Sequence, residues 1–110
     1  MIDWSRVSEL HEQVGSDDFA EVVELFLEEV QDTMRQLRQN TDVAALEAQL
    51  HFLKGCALNL GFSQFASRCQ QGEFLAANEH GDQVDVTAIL QSFDSSLIEF
   101  QRELPQRFAA

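Results

Sequence analysis

Residues 51–61 read HFLKGCALNLG. Extended backwards, the segment carries Leu46, Leu50, Leu53, Ala57 and Leu60 at spacings of three and four, the period of one buried face on an α-helix. Asp42 stands where it can cap the start of that helix. Gly61 stands where a left-handed residue would close it, with Phe62 placed to fold back on the last turn. The window is also unusual in charge. It holds the only lysine, Lys54, and none of the nineteen Asp and Glu residues falls between Glu47 and Glu73.

The same helical period runs outward in both directions. Trp4, Val7, Leu10 and Val14 give a short first helix, with Asp3 as its cap and Gly15 as its stop. Asp18 and Glu21 resemble a capping box and open a long second helix with the stripe Phe19, Val22, Val23, Phe26, Leu27, Val30, Met34 and Leu37. Asn40, Thr41 and Asp42 make the next turn. Ser63 is placed to cap a fourth helix through Phe65, Ala66, Cys69, Glu73 and Ala76, and Asp85 starts a fifth that Pro105 ends. No alternating run or Asn-Gly hairpin signals a strand. The expected helices span about 3–14, 18–38, 42–60, 63–79 and 85–104 of one domain, 1–110. The fold class is all-α: an antiparallel up-and-down four-helix bundle with a short additional N-terminal helix.

Composition narrows the partners. A formal charge of −12 argues against nucleic acid or an anionic membrane, both of which call for basic patches. No apolar run approaches the roughly 20 residues of a membrane span, and no basic-then-apolar leader opens the chain. With two cysteines and no disulfide framework, a reducing, cytoplasmic setting and a monomer are expected.

At about 100° per residue, the apolar stripe of the third helix centres roughly 140° away from His51, so the imidazole is expected to face water. Lys54, Gly55 and Leu58 share its face, with Ala44, Glu47 and Ala48 one turn or more below. A solvated imidazole offers a neutral, nucleophilic nitrogen near neutral pH. Lys54 can attract an anionic phosphoryl group. Gly55 costs an exposed helix about 1 kcal/mol relative to Ala, and its use is steric: a partner's cleft can close over the ring. Leu58 and Phe62 would give that partner an apolar footing. The chain has no glycine-rich phosphate loop, so it is expected to pass phosphate on and not to act as an ATP-using kinase.

Two other readings compete. His11, His51, His80, Cys56 and Cys69 are potential metal ligands, but none are paired at ligand spacing, so no metal site is expected. Cys56 and Cys69 read as core thiols, and His11 and His80 as surface residues near helix ends. Alternatively, His51 is never phosphorylated and the chain is a helical adaptor binding a partner through Leu58 and Phe62.

HFLKGCALNLG resembles the His-x-x-Lys-Gly-(five residues)-Gly signature of histidine-containing phosphotransfer domains. VGSDDFAEVVELFLEEV and FSQFASRCQQGEF resemble the flanking turn and helices, so the likeness covers nearly the whole chain. It implies a two-component phosphorelay in which His51 is phosphorylated, on Nε2, and exchanges phosphate with an aspartate of a response-regulator receiver domain or a hybrid sensor histidine kinase. Lys54 would be the electrostatic helper, Gly55 the clearance position, and Glu73 a hydrogen-bond partner for the other imidazole nitrogen. No cofactor is expected in the chain itself, Mg²⁺ being supplied by the receiver. Cys56-Ala57 and Gly72 depart from the residues common at those places, Gly72 replacing a large apolar one.

Overall fold

The computed structural model describes residues 2–39 and 41–108; Asn40, assigned above to a turn, and Ala109 and Ala110, at the tail, lie outside them. Five α-helices follow in order: α1 (Trp4–Val14), α2 (Phe19–Gln39), α3 (Val43–Leu60), α4 (Ser63–Ala77) and α5 (Val86–Arg107). A single 3₁₀ turn, Gly81–Gln83, precedes α5. Among the described residues there is no strand, only an isolated bridge between Ile2 and Phe62. The molecule is all-α.

Three aspartates start helices by the mechanism their positions suggest. Asp3 accepts from the Arg6 amide at 3.3 Å, and Asp42 and Asp85 accept from the amides of Ala44 and Ala88, each at 3.0 Å. The α3 stripe of Leu46, Leu50, Leu53, Ala57 and Leu60 is buried throughout. It meets Val30, Met34 and Leu37 of α2 and Phe65 and Cys69 of α4 in one continuous apolar core. The largest helix contact is between α3 and α4. Gly72 permits it there, since a Cβ at that position would stand 2.8 Å from Leu50.

The turn between α3 and α4 explains several corrections. Gly61 is left-handed (φ 75°, ψ 16°), and its amide bonds to the Leu58 carbonyl while that of Phe62 bonds to the Ala57 carbonyl at 2.8 Å. The Asp3 amide in turn donates to the Gly61 carbonyl at 2.6 Å. This winding, with the Ile2 bridge beside it, turns Phe62 inward. Its ring is fully buried, 5.2 Å from Phe100 and 6.0 Å from Phe93 between centroids. Phe62 is therefore a core residue and not the partner contact expected from its place beside Leu58. It also takes the cap position of α4 expected of Ser63.

Other boundaries shift. α4 ends at Ala77, and Glu79 adopts a left-handed φ of 65°, so the expected run to 79 is too long. Pro105 does not end α5, which continues to Arg107. Proline removes one amide donor there, a loss confined to the last turn of the helix. Phe108 then packs 5.1 Å from Phe19 and 4.9 Å from His11. His11, expected on the surface, is in fact half-buried between those two rings because the last turn of α5 reaches it.

Candidate functional site

α3 carries its core stripe on one side and presents His51 on the other, with 70% of the imidazole side chain exposed. Gly55 follows one turn later, and nothing stands within 4 Å of where its Cβ would be. Lys54 leans the other way, toward α4. There α3 and α4 approach closely enough for one carboxylate to serve both residues. Glu73 sets Oε2 2.8 Å from His51 Nδ1 and Oε1 2.7 Å from Lys54 Nζ.

Glu73 is itself largely sheltered, its side chain 19% exposed. The Lys54 ammonium beside it holds its carboxyl below the usual carboxylate range; burial opposes this less strongly, and the bond to His51 adds to the lowering. The carboxylate therefore stays ionised and can only accept. That assigns the imidazole tautomer: Nδ1 carries the proton and donates it to Glu73, which leaves the lone pair on Nε2, facing water. Lys54 meets Oε1 as a close ion pair, so its charge is held within a side chain's reach of the ring.

The family model described as Hpt domain matches residues 21–108. The chain belongs to the Hpt domain family. Membership ties it to phosphotransfer in two-component phosphorelays, in which such domains carry phosphoryl groups. Comparison with curated proteins and with solved structures returns no significant match.

Within this Hpt domain the remaining candidates fall in distinct places. Ala48 and Leu58 are exposed on the His51 side of α3, whereas Phe62, as above, is inside. Cys56 and Cys69 are buried free thiols. Burial, with Glu73 adding and Lys54 opposing, pushes the Cys69 thiol up to about 12, so it sits protonated beneath the Glu73–Lys54 pair. Among the described residues no three His, Cys, Asp or Glu side chains converge as a metal site would need. Among the same residues, no helix is long and apolar enough to cross a membrane.

Sequence reasoning overlooked two exposed aromatics at the site. Phe52 adjoins His51 on α3 and Phe74 adjoins Glu73 on α4. Each was hidden among the nine phenylalanines, most of which are core. Their signal was positional, because neither falls on its helix's apolar stripe. A third feature could not be read from spacing at all. Arg6 of α1 donates to Asn59 at 2.6 Å, and Asn59 donates to the Gly55 carbonyl at 3.2 Å, tying α1 to the far end of the His51 face.

Proposed function

We propose that His51 Nε2 accepts a phosphoryl group from, and returns it to, an aspartate on a receiver domain, making this chain a phosphocarrier of a two-component phosphorelay. The observation that carries the reading is the His51–Glu73–Lys54 triad on an exposed helix face of an Hpt domain. In transfer, the P–O bond to the aspartyl carboxylate breaks and its electron pair leaves with that carboxylate, while the Nε2 lone pair forms the P–N bond. Nδ1 keeps its proton. The ring becomes cationic, and the Glu73 carboxylate already lies against it to offset that charge. Lys54 pairs with the incoming phosphoryl oxygens, and Gly55 leaves room for the receiver's cleft. Catalysis is then mainly positioning and charge stabilisation. Mg²⁺ belongs to the receiver, the chain acts as a monomer in the cytoplasm, and its four long helices run antiparallel, as their short connections favour.

The test is direct. An aspartyl-phosphorylated receiver should label the wild-type chain with an acid-labile, alkali-stable phosphate and leave His51→Gln unlabelled. Equal labelling of the two proteins would overturn the assignment. The adaptor reading loses half of its surface, since Phe62 is buried.

A further inference from the structure

Counting outward from Glu73, which points at α3, Gln70, Phe74 and Ser67 lie about 60° to 120° further round α4 at 100° per residue. They therefore share the outward direction of His51, one helix over. All three are exposed, Phe74 at 68% of its surface. Together with Ala48, Gly55 and Leu58 of α3 they form a two-helix face. Among the described residues its acids are Glu73, whose charge is taken up by Lys54 and His51, and the exposed Glu47 one turn before His51. In a chain of charge −12 so low a density of free acids is local. Across α3, helix α2 offers an exposed leucine of similar prominence, Leu25 at 54%, but Glu21, Glu24, Glu28 and Glu29 surround it in sequence and are exposed with it.

We propose that the aspartate-bearing partner docks across α3 and α4, with Phe74 as its apolar anchor, and not across α2. The inference rests on the phosphotransfer reading and adds the side from which the partner approaches. Two arguments commit the face to that occupant. It is continuous with the transfer site, so a domain whose aspartate reaches Nε2 must cover adjoining surface. It is also the part of the His51 surroundings where an acidic phosphoryl-aspartate site meets the fewest carboxylates, Glu47 alone beside the paired Glu73, whereas approach over α2 sets it against Glu21, Glu24, Glu28 and Glu29. An exposed aromatic beside a desolvated centre is the kind of residue that carries binding energy in such contacts.

The experiment uses the full chain and the aspartyl-phosphorylated receiver domain that labels the wild type fastest. Phe74→Ala should raise the receiver concentration at half-maximal transfer rate roughly tenfold, with the maximal rate little changed. Leu25→Ala should leave both within about twofold. Labelling of His51 by a small donor, phosphoramidate, should be the same in all three proteins, because no docking is involved. An unchanged half-saturation in Phe74→Ala, or a larger effect in Leu25→Ala, would overturn the docking side while leaving phosphotransfer standing. Loss of phosphoramidate labelling in Phe74→Ala would overturn the anchor role in favour of damage to the site. Sedimentation of the wild type as a dimer that Phe74→Glu dissociates, with transfer unaltered, would overturn it in favour of a second copy of this chain. No labelling of wild-type His51 from either donor would defeat the phosphotransfer reading itself.

Discussion

Glu73 has to serve two donors, one of them charged, with two oxygens, and the cost of losing it depends on which bond is lost. In Glu73→Gln the amide oxygen can still accept from Nδ1, but the charge opposite Lys54 is gone. In Glu73→Ala both are gone and the ring is free to turn. Transfer should therefore fall by roughly ten- to a hundredfold in the Ala variant and less in the Gln variant. The ¹⁵N spectrum of the imidazole should show the Nδ1–H tautomer retained in Gln and mixed in Ala. Identical rates in all three proteins would remove the positioning role. The same carboxyl has a stability signature. Its folded pKa is depressed from 4.5, chiefly by Lys54, so its contribution is present above that value and fades as pH falls through the lower folded value. Urea midpoints of wild type and Glu73→Gln should differ at pH 7 and converge toward pH 3. A gap that widened on acidification would contradict the assigned direction. Gly55 is simpler, since its Cβ position is open. Gly55→Glu should keep or raise stability, by up to about 1 kcal/mol, while blocking transfer from the receiver. Normal transfer in that variant would refute the clearance role.

At the level of elements, the ends of α3 show what was legible and what was not. The α3 stripe, its Asp42 cap and its Gly61 stop all follow from local spacing and from the shape of single residues, and so does the outward aim of His51. Phe62 does not. Whether a residue after a left-handed cap points out or in depends on what waits there, in this case Phe93 and Phe100 from a helix some thirty residues on. Pro105 was misread for a related reason, as the turn beyond it is held by Phe108 against Phe19 and His11 from the other end of the chain. The Glu73 contact lay in between. The residue was picked out only through the resemblance to the phosphotransfer family, and its shared hold on Lys54 needs the close α3–α4 approach that Gly72 allows. Gly61 supports a sharp prediction at this scale. A Cβ there would lie 2.5 Å from the Asp3 carbonyl oxygen at a φ of +75°. Gly61→Ala should cost about 2 kcal/mol or more, from left-handed strain and a backbone clash that no rotamer relieves. A loss under about 0.5 kcal/mol in chemical denaturation would show that the α1 leader can move aside.

Over the whole molecule the acids outnumber the bases by nineteen to seven. Among the described residues the arginine ion pairs are peripheral: Arg6–Glu9, Arg35–Asp32 and Arg38–Asp94 bond at 2.9 to 3.0 Å, and Arg107 and Arg102 stand 3.5 and 4.0 Å from Glu103, all with exposed or half-exposed partners. Pairs of this kind contribute roughly 0 to 1 kcal/mol each, and salt weakens them. The uncompensated acids repel one another over the folded surface, and salt weakens that too. Which effect wins is decided by number. Few pairs stand against a net charge of −12, so screening should relieve more repulsion than it removes attraction. The melting temperature should therefore rise between 20 mM and 500 mM NaCl at pH 7.5, and a fall would mean that the arginine pairs outweigh the net charge. The same salt should act differently on docking. A partner seated on the weakly charged α3–α4 face should show a half-saturation that changes less with NaCl than one seated over the acidic α2 ridge. Running both titrations on one preparation separates the two fields, since only the second depends on which face the partner covers.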